Sequence, residues 1–197
     1  MDEERTALVL RASPSADSID PFDAYCIQGI PPCAQIMLQF ALTHQWPVYS
    51  VSSEAAVVER WKLTTMRCAL DKPYLLQAII YAGATYRFFL GPRDSSINLI
   101  RIQSYHETIK HVREAVEQLH GQPPDGLLLA VALLTMHGPP SYHLHPAKTD
   151  KEHYRDNDFY FTKPWEPSHF SALISLTKMK GGPRHIAIPS VAAMVFM

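Results

Sequence analysis

At 197 residues with 47% hydrophobic side chains, the chain has the material for one ordinary domain with a real core. A formal charge of −1 and a pI near 6.8 exclude the broad positive field that drives binding to phosphate backbones, so this chain alone is expected not to bind DNA tightly. Its three cysteines, Cys26, Cys33 and Cys68, fit neither CxxC nor paired ligand spacing, which argues for reduced thiols in an intracellular protein and against a disulfide framework.

Residues 1–30 read as an N-terminal tail. Asp2, Glu3, Glu4 and Arg5 precede only a short apolar run, which is not the layout of a signal peptide. Ser13, Pro14, Ser15, Asp17, Ser18, Asp20 and Pro21 then supply turn-forming chemistry. A helical domain is expected over 31–197. Pro31 and Pro32 fit a first turn, and residues 34–46 carry Ile36, Phe40 and Thr43 at helical spacing until Pro47 stops them. A second helix over about 54–70 places Val58, Trp61 and Cys68 along one stripe.

Asp71 is expected to cap the third helix and Pro73 to occupy its first turn. Leu75, Leu76, Ile79, Ala82, Gly83, Tyr86 and Phe89 then repeat at three- and four-residue steps before Gly91-Pro92. The next segment is a long amphipathic helix in which Ile102, Tyr105, Ile109, Val112, Val116 and Leu119 form the inner face. Lys110, Arg113, Glu114 and Glu117 form the outer one. Asp125 can cap a helix whose run 127–136 is apolar all round until Thr135, which belongs at the centre of a bundle. That run falls short of the roughly 20 apolar residues that span a bilayer, so no membrane partner is expected.

Residues 138–164 are rich in Pro, His, Tyr and Asp and show no period, as a loop insertion would. A last helix resumes near Pro167, with Phe170, Leu173, Ile174 and Leu176 on its apolar side. Lys178 and Lys180 complement its C-terminal dipole and Gly181-Gly182 form a left-handed stop. The fold class that follows is all-α, an irregular bundle of about six helices. Ile186, Ile188, Val191, Ala192, Met194, Val195 and Phe196 form an apolar segment with no polar cap, so the bundle is expected to be incomplete at its C-terminus and prone to self-association.

Candidate chemistry centres on histidines. His137, His143, His145 and His153 span the insertion, and imidazole is the commonest metal ligand and a base near neutral pH. They lack the tight pairing of a rigid zinc site, and the charged run Asp150, Glu152, Asp156 and Asp158 lacks the glycine and terminal glutamate of a calcium loop. Neither a nucleophile elbow nor a phosphate loop nor a dinucleotide fingerprint occurs. Cys68 reads as a packed thiol, and Trp61, Tyr74, Tyr81 and Tyr86 as core rather than pocket. Lys178, Lys180, Arg184 and His185 read as a dipole complement rather than a phosphate track. No catalytic residue, cofactor or metal site is assigned, and the chain is expected not to be an enzyme. The rival readings are a small helical metal-dependent enzyme using His143, His145 and His153, and a truncated, non-functional product.

Several segments in order resemble the fungal-specific transcription factor domain, the regulatory region of zinc binuclear cluster regulators. They begin with Asp20-Pro21-Phe22-Asp23-Ala24, then Trp61-Lys62-Leu63 with Cys68-Ala69-Leu70-Asp71-Lys72-Pro73-Tyr74-Leu75-Leu76-Gln77-Ala78, and Ala82-Gly83-Ala84. The long helix around Tyr105 to Leu119 follows, then Trp165 to His169, Ala172, Leu173 and Lys180-Gly181-Gly182. The resemblance covers residues 18 to about 188. It implies an all-helical regulatory domain in the nucleus, whose partners are proteins of the transcription machinery or a small effector. No six-cysteine cluster precedes these segments, so the resemblance extends to the regulatory region and not to DNA reading, and it names no catalytic residue. The insertion at 138–164 is longer than the family's usual connection.

Overall fold

The computed structural model describes residues 10–11, 26–27, 30–46, 54–90, 94–138 and 166–187. They form an all-α bundle of six α-helices: α1 (Pro32–Phe40), α2 (Ala55–Leu70), α3 (Pro73–Leu90), α4 (Ser95–Glu117), α5 (Asp125–His137) and α6 (Pro167–Met179). Within the stretch read as a tail, β1 (Leu10–Arg11) pairs antiparallel with β2 (Cys26–Ile27), matching Leu10 to Ile27 and Arg11 to Cys26. Two residues per strand show no alternation for a sequence to reveal, and the ladder leaves the fold class unchanged.

Helix α1 starts with Pro32 in its first position, where the missing N–H costs nothing, and Pro31 supplies the carbonyl that Ala34 and Gln35 bond. A π-helical turn, Ala41–Gln45, continues it. The widened turn brings Ala41, Leu42, Gln45 and Trp46 all inward. The buried side of α1 is therefore Ala34, Met37 and Leu38, whereas Ile36 is 58% exposed and Thr43 faces solvent. This corrects the face expected from Ile36, Phe40 and Thr43. The reason lies on α3: a Cβ at Gly83 would run into the Met37 carbonyl and sit 2.9 Å from the Ala41 methyl. Only the small-residue face of α1 approaches that closely.

Asp71 closes α2 rather than capping α3. It holds the C-cap position of α2, and the Lys72 carbonyl accepts from Leu75 and Leu76 to open α3 at Pro73. Along α2, Trp61, Thr65 and Ala69 are buried, with Val58 and Cys68 half-buried beside them. Helix α4 begins well before Ile102, because the Asp94 carboxylate accepts from Ser96 N–H at 2.8 Å and Ser96 Oγ at 2.7 Å. Those bonds hold its carboxyl below the usual carboxylate range.

Helices α3 and α5 form the centre, α3 packing on α1, α2, α4 and α5, and α5 on α3, α4 and α6. All of α5 from Gly126 to Thr135 is buried, as its unbroken apolar run requires. Asp125 is its first residue and not its cap, a position held by Pro124. Helix α6 ends in Gly181 (φ 95°) and Gly182 (φ 98°), whose N–H groups bond the carbonyls of Lys178 and Thr177. A 3₁₀ turn, Pro183–His185, then delivers Ile186 into the core. Among the described residues no helix is long and apolar enough to cross a membrane.

The inner face of α4 also differs from expectation. Its buried line is Ile97, Ile100, Arg101, Ser104 and Thr108. Ile102, Tyr105, Ile109, Val112 and Leu119 are only half-buried, and Val116 is 43% exposed. Arg101 is fully buried, its guanidinium 4.3 Å from the centroid of the Phe88 ring and its Nη2 donating to Asn98 Oδ1 at 2.8 Å. An arginine stacked on aromatic faces keeps its donors directional and its charge over the ring π-system, so polar residues can occupy the inner line.

Candidate functional site

The polar groups converge at the C-terminal end of α5. His137, its last residue, is 2% exposed and not part of a loop, which corrects its grouping with the insertion histidines. The π-helical turn brings Gln45 to it, with Gln45 Nε2 2.9 Å from His137 Nε2. The Gln45 amide and the His137 imidazole can each donate or accept, so one hydrogen bond joins the π-helical turn to the end of α5. The His137 ring meets the edge of Tyr81 from α3, centroids 6.1 Å apart, and the Tyr81 hydroxyl donates to the Gly138 carbonyl. Burial pushes the Tyr81 phenol well above its ordinary range, so the hydroxyl stays protonated and remains a donor.

From Tyr81 the seam continues outward. Tyr105 of α4 packs on it with centroids 5.3 Å apart, and the Tyr105 hydroxyl lies 3.4 Å from His169 Nε2 on α6. His169 Nδ1 is 3.8 Å from Glu166 Oε2. Glu166 caps α6, accepting from His169 N–H at 2.7 Å and from Ser168 Oγ at 2.6 Å. Burial alone would raise the Glu166 carboxyl, but these bonds and the neighbouring imidazole outweigh it and hold it below its ordinary value. Burial lowers the His169 imidazole, against the opposing pull of Glu166. Glu166 N–H also donates to the Thr135 carbonyl at 3.3 Å, tying the start of α6 to the end of α5.

A carboxylate, an imidazole and a phenol in line have the elements of a proton relay. Here the Tyr105 hydroxyl lies within reach of His169 Nε2, so the line also links α4 to α6. The opposite end of the α5–α6 pair is joined by charge. Lys180 Nζ lies 2.8 Å from Asp125 Oδ1 and donates to the Pro123 carbonyl at 3.0 Å, while Asp125 Oδ2 accepts from Ala187 N–H at 2.6 Å. Lys180 thus ties two helices together in addition to complementing a dipole, whereas Lys178, Arg184 and His185 are exposed.

His143, His145, His153 and the run Asp150 to Asp158 lie outside the described residues, as does the apolar segment from Ile188 onward. Trp61, Tyr74 and Tyr81 are buried, Tyr86 is half-buried, and Cys68 packs against the core. Burial raises the Tyr74 phenol, with Cys68 adding to the shift. Among the described residues no group of three or more His, Cys, Asp or Glu side chains is placed to hold a metal ion. Gln45 and Arg101 were invisible to periodicity, since both occupy inward positions where an apolar residue is the default. No family model, curated protein or solved structure matches the chain.

Proposed function

We propose that the chain is the regulatory domain of a fungal transcription factor, acting in the nucleus through partner proteins or a small effector and not through catalysis. One observation carries this reading: among the described residues, several of those on which the resemblance rests are joints of the bundle, while Asp20 to Ala24 and Trp165 lie outside the described residues. Asp71 to Leu76 make the α2–α3 junction, Gly83 is the point where α3 meets α1, Glu166 to His169 cap and brace α6, and Gly181-Gly182 end it. A motif made of joints specifies a scaffold and leaves the surface free to vary, which suits a module that recognises partners. The polar seam supports the same reading, since its contacts through Gln45, Tyr105 and Glu166 N–H run from one helix to another.

The test is a reporter assay in fungal cells, with the chain fused to a heterologous DNA-binding domain. Expression should change at least about threefold against the DNA-binding domain alone, a population shift of under 1 kcal/mol at the promoter being sufficient. An unchanged reporter, with the fusion present in the nucleus at equal abundance, would remove the regulatory reading.

A further inference from the structure

The segment that follows α1 departs from the α ladder. Ala41–Gln45 form a π-helical turn, and the Trp46 N–H bonds the Ala41 carbonyl five residues back instead of a carbonyl four back. Such turns are rare and are frequent at functional sites. In an uninterrupted α-helix residues 34, 37, 38, 41 and 45 share one face, and residue 46 stands about 100° further round. The extra residue in the π-helical turn sets Trp46 in the place that residue 45 of that helix would take, and Gln45 in the place of residue 44. Both side chains are buried as a result, Trp46 within the core cluster and Gln45 with its Nε2 2.9 Å from His137 Nε2.

Two registers can be reached from the same start. Upstream, Ala41 is pinned, because its methyl and the Met37 carbonyl sit where Gly83 of α3 lacks a Cβ. Downstream, Pro47 brings no N–H to the ladder, so a change of register exchanges carbonyls only within the turn, Leu42 for Ala41 as the acceptor of the Trp46 N–H. Thr43 and His44 are exposed and give up no buried surface when the turn rewinds. We propose that this turn is a two-register latch. In the π register Trp46 fills the core and Gln45 reaches His137; in the α register Trp46 swings out by about 100° and His44 takes the place of Gln45 facing His137. The α register gives up the burial of an indole, so it is the minor state of the free chain. A ligand that holds the outward indole shifts the balance and loosens the end of α1 from the end of α5. The latch goes beyond the regulatory reading and does not depend on it.

Deletion of Thr43 tests the register directly. With one residue fewer, an unbroken α-helix puts Gln45 and Trp46 in the places they hold in the π register, so the variant should stay folded, keep Trp46 buried and melt no lower than the parent chain. The second readout is fluorine NMR of the full chain labelled with fluorotryptophan, the Trp46 resonance being identified by its loss in Trp46→Phe. Saturation transfer should reveal a minor, solvent-exposed Trp46 form in the parent. His137→Leu should enlarge that form at least about threefold, the effect of losing one buried hydrogen bond, and deletion of Thr43 should abolish it even in that background. Gln45→Ala removes the same contact from the α1 side and takes the place of His137→Leu where that variant does not melt cooperatively. A deletion variant that melts lower or exposes Trp46 would overturn the proposal. So would the absence of a minor Trp46 form from the parent and from both contact variants.

Discussion

At the scale of single residues, Gly83 is the position with the least freedom. Its missing Cβ lets the Met37 carbonyl and the Ala41 methyl of α1 sit directly on α3. In a free helix Gly→Ala gains up to about 1 kcal/mol, but here the obstacle is backbone and no rotamer change relieves it. Gly83→Ala should therefore destabilise the chain by roughly 2 kcal/mol net, read as a lower denaturation midpoint at unchanged slope. A stability gain would show that α1 slides without cost. His169 gives a pH prediction of definite sign. Its folded imidazole titrates below its ordinary value of 6.5 because of burial, so acid protonates the unfolded state first. Stability should fall as pH drops below about 6.5, with a further loss below about 4.5 as Glu166, also depressed when folded, gains its proton. His169→Gln should flatten the upper part of that profile and spare the lower. An identical profile in the variant would mean that His169 is not the group responsible.

At the scale of elements, α5 and α6 are held together at both ends by different chemistry. The seam end uses a neutral backbone hydrogen bond from Glu166 N–H to the Thr135 carbonyl, and the other end uses the Lys180–Asp125 pair, whose side chains are 15% and 12% exposed. A pair so shielded is screened weakly, and removing one partner strands the other charge near the core. Lys180→Ala should cost about 2 kcal/mol and speed amide exchange in residues 184–187 before that in α5. Exchange rising equally along the whole chain would argue that the tie has no local role. Gly182 just beyond it has φ 98° and ψ 171°, a conformation open essentially to glycine alone. Gly182→Ala should cost about 1–3 kcal/mol although nothing lies near the added methyl, the whole penalty being backbone strain.

At the scale of the molecule, one helix carries the core. Leu127, Leu129 and Leu133 are fully buried and α5 touches α3, α4 and α6, so truncation there opens a cavity that no single neighbour can close. Leu133→Ala should cost about 3–5 kcal/mol, a large share of a domain's usual stability, and should lower far-ultraviolet helicity at a temperature where the parent chain is folded. The same change at Leu63, 55% exposed on α2, should shift the midpoint by no more than about 0.5 kcal/mol. Equal costs at the two positions would contradict a core centred on α5.

Local chemistry made much of this readable from sequence. Prolines at 32, 73 and 167 open helices because their lost N–H is unneeded in a first turn, and Gly181-Gly182 end one because φ there is positive. The unbroken run in α5 announced its central place because no polar side could face water. Rotation about the helix axis was decided elsewhere. The apolar period of α4 is genuine, yet Phe88 and Phe89 on α3 accept a buried arginine, and Ile102 and Ile109 are left half-buried and Val116 exposed. In the same way, the tight crossing at Gly83 turns α1 onto Met37 and Leu38 and leaves Ile36 outside. A sequence period records which residues share a face, a property of one helix. Which face goes inward depends on the shape and polarity of the neighbour, and so the His137 and His169 seam and the rotation of α4 were settled only when the helices met.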